Sequence, residues 1–267
     1  MVVKRKYKIR SCCQSDVGLV RKTNEDFWAQ LPEEGFYVVA DGMGGHRAGE
    51  VASKEAVQYM CSAIKKLLSP KQDRRHLDEL TQSVTKVIES ANKWVHKLGK
   101  SQQSYKGMGT TLCSALFQDG RIIYSHVGDS RIYRFRNKTL QQLTMDHSIH
   151  GELVKKGAFQ QTEIEVSSYT KRLTRAVGTE TYVKPDIGIE LVQPRDIYLL
   201  CSDGLTDLVP DQTIEKILKS SSDLDYATHR LIEMAKSRGG NDNITILLLE
   251  VNETHLSGQQ RNDHSRP

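Results

Sequence analysis

This 267-residue chain predicts an α+β fold, with antiparallel sheets stacked face to face and covered by helices, on three observations. First, two long stretches carry apolar residues at helical spacing: Ala52, Ala56, Tyr59, Ala63 and Leu67, then Leu77, Leu80, Val84, Val87, Ala91, Trp94 and Leu98. Second, the pattern changes to strands at 112–117, 121–127 and 132–136, with a turn at Gln118-Asp119-Gly120, which reads as an antiparallel meander. Third, strands at 187–191 and 197–201 precede two helices, 211–219 and 223–237, and a last strand at 244–251. Paired helices without βαβ alternation argue against a parallel sheet.

No linker, charge block or repeat divides residues 1–251, so one domain is expected there. Residues 252–267 lack apolar periodicity and are expected to be a disordered tail. The net charge of +5 owes much to Lys4, Arg5, Lys6, Lys8 and Arg10. Such a run suits an edge strand, and no aromatic residues interleave with it, so no nucleic-acid partner is expected. Five cysteines form no CxxC pair, and Cys61, Cys113 and Cys201 lie in apolar surroundings as small core residues. That usage fits a reducing compartment. The basic start is not followed by the apolar core of a signal peptide, and no stretch approaches the roughly 20 apolar residues that span a bilayer. A cytoplasmic monomer without a membrane partner is the expectation.

The chemistry is carried by two strings far apart in sequence. Asp41-Gly42-Met43-Gly44-Gly45-His46 follows the apolar run 37–40, and Ser202-Asp203-Gly204 follows the run 197–201. An aspartate at a strand end is held at the rim of a sheet and still reaches water, while the glycines let the chain turn. Asp-Gly alone is an ordinary turn. Two such ends suggest carboxylates converging on one site, whose usual counter-charge is a hard divalent cation.

Three further strings accompany them: 16–26, which contains Arg21, Glu25 and Asp26; Val127-Gly128-Asp129-Ser130-Arg131; and Gly239-Gly240-Asn241-Asp242-Asn243. In this order and spacing the five resemble the metal-dependent protein serine/threonine phosphatases of the PPM (protein phosphatase type 2C) family in its bacterial form, over roughly residues 10–251. The resemblance implies an αββα sandwich with a metal site at one end, between the sheets. It implies hydrolysis of phosphoserine and phosphothreonine by water activated between two metal ions, opposing a bacterial Ser/Thr kinase on shared phosphoprotein substrates. Mn²⁺ or Mg²⁺ is expected, two ions with a weaker third, since every donor is oxygen.

By the same resemblance Asp41 bridges the ions, and the Gly42 carbonyl contacts the second. Asp203 and Asp242 hold the first, and Glu25 acts on the second through water. Asp129, with the shared Asp203, matches the third site. Asp26, Asp207 and Asn243 stand behind these ligands, and Arg21 matches the arginine that grips the substrate phosphate, a role its planar fork suits. Taken singly, Asp26 and Asp242 read equally as caps, Asp129 as a hairpin closure, and Asp207 as a cap for the helix near Asp211. Arg131 and Arg175 read as structural, and His147 as part of the start of the segment that follows it.

Some family members have a histidine directly after the Asp-Gly pair; here that position is Met43, and His46 is the candidate general acid. A helix-start histidine, with the proton coming from the metal site, is the competing reading. The chain also departs from the family pattern in the flap segment, about 145–180, where 167–172 reads Ser-Ser-Tyr-Thr-Lys-Arg. Two other functions compete. A catalytically silent phosphoprotein-binding member is opposed by the full ligand set. A two-metal hydrolase of nucleotides or diesters would need a base-stacking element, which the sequence lacks.

Overall fold

In a computed structural model of the chain, residues 7–44, 48–69, 76–157 and 170–253 are described. In chain order the elements are β1 (Tyr7–Asp16), β2 (Asp26–Leu31), β3 (Phe36–Met43), α1 (Ala48–Leu67), α2 (Leu77–Ser101), β4 (Gly109–Thr110), β5 (Leu112–Gln118), β6 (Arg121–Val127), β7 (Arg131–Arg136), β8 (Thr139–Gln142), α3 (Ile149–Lys155), β9 (Asp186–Leu191), β10 (Ile197–Cys201), α4 (Asp203–Thr206), α5 (Asp211–Ser220), α6 (Leu224–Ser237) and β11 (Ile244–Glu253). One sheet has the order β1-β11-β10-β7-β8; the other runs β2-β3-β5-β6-β9, with β4 joined to β3.

Strand alternation sorts the side chains into three cores. Phe36, Val38 and Ala40 of β3 pack with Leu112 and Leu116 against Met60 and Ile64 of α1 and Val84 and Ile88 of α2. Tyr37 and Val39 point the other way and meet Tyr198, Leu200, Leu247 and Leu249 between the sheets. Leu199, Cys201, Ile246 and Leu248 form the outer face of the second sheet, covered by Ile214 and Leu218 of α5 and Leu231 and Ala235 of α6. Helix, sheet, sheet and helix therefore stack in the expected αββα order. Because β3 and β10 are buried on both faces, their sequences read as continuous apolar runs rather than alternations. Burying one such side chain is worth about 1.5–3 kcal/mol, so the three cores outweigh any local propensity.

The expected meander is corrected. β5 and β6 pair, but β7 belongs to the opposite sheet, beside β10. The chain crosses between sheets at 128–130, where Gly128 has φ +104° and a Cβ would lie 2.7 Å from the Thr111 side chain. A hairpin and a crossing are equally short in sequence; only the third dimension separates them. The last strand also runs to Glu253, two residues past the expected end. Residues 254–267, most of the expected tail, lie outside the described residues, as do 158–169 of the flap segment. Of the basic start, Lys8 and Arg10 sit on β1, which is indeed an edge strand. Among the described residues no helix is long and apolar enough to cross a membrane.

Antiparallel pairing brings the candidate carboxylates together. Asp26, which opens β2, pairs in register with Asp41 near the end of β3. Thr111, just before β5, donates its N–H to the Asp41 carbonyl at 2.8 Å, and Leu112 pairs with Val127, so β6 and the crossing that carries Asp129 end nearby. In the other sheet Cys201 pairs with Ile246, which sets Asp203 beside Asp242 and the start of β11. Five distant sequence positions reach one end of the sandwich because neighbouring strands run in opposite directions.

Candidate metal centre

Asp26, which is buried, and Asp41, Asp129 and Asp203, which are half-buried, form the heart of this end. The Asp26 carboxylate accepts from Ser202 Oγ at 2.7 Å, and its other oxygen has no hydrogen-bond partner. Asp129 and Asp203 likewise each keep one buried oxygen, Oδ1, without a partner. An unanswered buried carboxylate oxygen is costly, and three in one place call for an external counter-charge.

The electrostatics agree. Burial raises the Asp41 carboxyl far above the usual carboxylate range, and Asp26, Asp203 and Asp129 add repulsion. Burial, then Asp129, Asp207 and Asp242, does the same to Asp203. Asp26 is pushed up to about 6, mainly by burial. Asp129 is pushed up to about 7 by burial and then by Asp146. Burial and mutual repulsion thus disfavour the charged form of each of these carboxyls.

The rim is built from two backbone clamps. Asn243 accepts from Glu25 N at 2.7 Å and donates through Nδ2 to the carbonyls of Val17 at 3.0 Å and Thr23 at 2.9 Å. One amide thus ties the 17–25 loop, with Arg21 and Glu25, to the residue beside Asp242. Gly42 donates its N–H to the Glu25 carbonyl at 3.1 Å, and Ser53 Oγ donates to the same oxygen at 2.6 Å. A Cβ on Gly42 would collide with the Gly49 carbonyl, and one on Gly49 with the Glu25 carboxylate. Asp41 and Gly42 still belong to β3 rather than to a turn after it, and glycine at 42 and 49 lets the end of that strand, Glu25 and the first turn of α1 approach closely. Burial raises the Glu25 carboxyl, Arg21 opposes this, and Asp242 and Glu50 add to it.

Arg21 reaches Asp242 Oδ2 at 2.7 Å, and both side chains are substantially exposed. Asp242 Oδ1 also accepts from Asn243 N at 2.8 Å, a local cap alongside its place at the rim. Asp207 does not cap α5, whose N-cap residue is Pro210 and which has no side-chain cap. It ends α4, and its carboxylate pairs with Lys171 Nζ at 2.6 Å. His46 lies outside the described residues. Arg131 and Arg175 are structural here: Arg131 grips Asp146 with Nε and Nη2, and Arg175 pairs with Asp186 and Glu152. His147 precedes Ser148, which caps α3, and stacks on His126 with ring centres 4.3 Å apart.

Sequence reasoning did not single out the hydroxyls that hold the cluster. Thr111 Oγ1 accepts from Asp41 N at 2.9 Å and pairs with Ser130 Oγ at 2.6 Å, while Ser202 Oγ, which bonds Asp26, accepts from Thr245 N at 3.0 Å. Their signal was present as hydroxyl residues directly flanking buried strands. Lys171 gave no signal, because it lies far in sequence from its partner.

The donors suit hard cations, with one qualification. Among the described residues no group of three or more His, Cys, Asp or Glu side chains is gathered tightly enough to hold an ion by itself. Magnesium-like ions keep several waters and take only one or two carboxylates, so a wide, oxygen-only cluster fits them better than a closed protein shell would. The unpartnered oxygens and the mutual rise of the carboxyls make the same case.

Residues 20–244 match the family model described as protein phosphatase 2C. Over 242 residues the chain is 38% identical to the serine/threonine phosphatase stp of Listeria welshimeri, covering 90% of this chain and 94% of that protein. The Mycobacterium tuberculosis serine/threonine phosphatase PstP/Ppp has the same fold, with a TM-score of 0.81 and 33% identity over 91% of this chain and 99% of that one. A structure of the catalytic domain of the serine threonine protein phosphatase PstP in complex with 2 manganese ions aligns with a TM-score of 0.77 and 34% identity, covering 92% of this chain and 100% of that one. With its sandwich, its carboxylate cluster and these likenesses together, the chain belongs to the protein phosphatase 2C family.

Proposed function

We propose that this chain is a metal-dependent phosphoprotein phosphatase acting on phosphoserine and phosphothreonine. The observation that carries the reading is the set of mutually repelling carboxylates at one end of the sandwich, three with a buried, unpartnered oxygen. Asp41 would bridge two Mn²⁺ or Mg²⁺ ions. The Gly42 carbonyl and, through water, Glu25 would serve one ion, and Asp203 and Asp242 the other. Asp129 and Asp203 would hold a weaker third. When bound, such ions activate water near neutral pH and neutralise charge on the phosphoryl oxygens.

The chain's own groups do the rest. Water adds to phosphorus, the P–O ester bond opens, and the serine or threonine alkoxide leaves. Arg21 grips two phosphoryl oxygens and aims the phosphorus at the cluster, exchanging its bond with Asp242 for one with substrate. Asn243 fixes the loop that carries Arg21. Asp26, anchored by Ser202, orients water at the cluster. His46 supplies the proton that the alkoxide needs.

Removal of the histidine tests that last role. His46→Ala should slow a phosphoserine peptide by about 10²–10⁴-fold and p-nitrophenyl phosphate much less, because nitrophenolate leaves without a proton. Small and equal losses would assign the proton elsewhere.

The wider reading is of a cytoplasmic monomer, a single domain over 1–251, acting on substrates of a Ser/Thr kinase. Five free cysteines are in keeping with a reducing compartment. Release of phosphate from phosphoserine and phosphothreonine peptides, with phosphotyrosine peptides and a phosphodiester as comparisons, tests the substrate class. Faster turnover of the diester would overturn it.

A further inference from the structure

The flap segment re-enters the described structure at Thr170, and its next residue reaches the acidic end of the sandwich. Lys171 Nζ lies 2.6 Å from Asp207 Oδ2. Both residues line a small cavity of about 120 Å³, together with Asp129 and Asp203 and with Arg131 and His150 on its walls. We propose that the Lys171 ammonium is a built-in counter-ion of this pocket, and that a third divalent cation can enter it only by displacing Lys171. The inference rests on the metal-centre reading given above.

Three features support it. Asp207 N donates to the Asp203 carbonyl at 2.8 Å, so the two carboxylates stand one helical turn apart and on the same side. Asp129 and Asp203 each present a buried, unpartnered oxygen, so the pocket lacks positive charge on its inner wall. Arg131 supplies little of it: its pull on Asp129 ranks below burial and the repulsion of Asp146 and Asp207, and its guanidinium is bonded to Asp146 at 2.7–3.1 Å.

The backbone then holds Lys171 in place from both sides. His150 N donates to the Thr170 carbonyl at 2.8 Å, Ile149 N donates to the Arg172 carbonyl at 3.0 Å, and Ser148 bridges to Leu173. These links fix the backbone of Lys171, from which its half-exposed side chain spans to Asp207.

An ammonium and a divalent cation cannot share so small a space, because their repulsion is barely shielded over a few ångströms. Occupancy by one therefore weakens the other. The third ion becomes weak and salt-sensitive, and its arrival releases Lys171 from α4.

The test is calorimetric titration of MnCl₂ into the full-length, metal-free protein, with bound Mn²⁺ counted by electron paramagnetic resonance. Wild type, Lys171→Met and Lys171→Arg are compared after their melting curves show each to be folded. Two tight ions should bind in all three. The pair is about half exposed, so losing the ammonium should tighten the third ion by about fivefold at low ionic strength. Lys171→Arg, which keeps the charge, should match wild type, and high salt should shrink the difference. A third ion equally tight in wild type and Lys171→Met, or absent from both, overturns the inference while leaving the two-ion reading intact. Failure of the tight ions to bind in wild type overturns the metal-centre reading itself.

Discussion

Two sets of carboxylates share the same pair of sheets and differ in what answers their charge. Asp196, 1% exposed, receives Arg136 through Nε and Nη2 at 2.7 Å each, and Asp146 is gripped by Arg131 in the same forked manner. Asp26, Asp41, Asp129 and Asp203 face chiefly one another and hydroxyl groups, and all four carboxyls are raised. Where a carboxylate serves the fold, the chain supplies its own guanidinium. Where none is supplied in so buried a place, the likeness to a two-manganese relative points to a cation from outside.

The strongest way to break that contrast is to remove one carboxylate from each set. Asp41→Asn or Asp203→Asn should lower turnover of a phosphoserine peptide by about 10³-fold or more, since each weakens a charge stabilisation worth several kcal/mol. Asp196→Ala should leave turnover of the folded enzyme close to normal. It leaves Arg136 with the Leu191 carbonyl and solvent, and should cost about 1.5–3 kcal/mol of stability in urea unfolding, the scale of hydrogen bonds to a charged group. Normal turnover in Asp41→Asn, or a stable but inactive Asp196→Ala, would reverse the assignment.

A smaller effect is expected from Arg21, which stands between the two sets, a guanidinium paired with a candidate ligand. Arg21→Ala should raise KM by about tenfold or more, the scale of a lost hydrogen bond to a charged group, with kcat less affected. Metal content should remain that of wild type. A kcat defect accompanied by metal loss would make Arg21 part of the metal frame instead.

How much of this was legible in sequence depends on how local each feature is. Asp41 and Asp203 declared themselves because an apolar run, an acid and a glycine are adjacent in the chain. The helices at 48–67 and 77–101 were legible from periodicity alone. The destination of β7 was not, because a hairpin and a sheet crossing use equally few residues. Asp26 could be read as a cap until its register opposite Asp41 was visible. Nor could pattern reveal that Arg136 belongs to Asp196 or Lys171 to Asp207, since such partners are joined only by tertiary packing. The family resemblance supplied roles for Arg21, Glu25 and Asp242 that their spacing alone did not.

The stability of the metal-free protein offers a finer test. A carboxyl raised in the folded state is favoured in its protonated form. Its stabilising contribution is fully present below the unfolded value, about 4, and is lost as pH rises through the raised values. These are near 6 for Asp26 and 7 for Asp129, and Asp41 is raised well above 3.8. Metal-free Asp41→Asn should therefore melt at nearly the wild-type temperature at acidic pH and progressively higher than wild type towards pH 7. The gap should be roughly 2–4 °C for each kcal/mol of relieved repulsion. His126 and His147 are lowered by burial, His147 to about 4, and oppose this trend below about 6.5 by favouring the unfolded chain. They are common to both proteins and cancel in the difference. A gap that stays flat with pH would mean that the cluster is not under charge strain.

The most direct measurement follows metal content and turnover in one preparation. After exhaustive chelation the protein should release no phosphate from a phosphoserine peptide, and turnover should return as Mn²⁺ is added, saturating when about two ions are bound per chain. Full turnover by the chelated protein, or recovery with less than one ion bound, would contradict a metal role for the unpaired carboxylates.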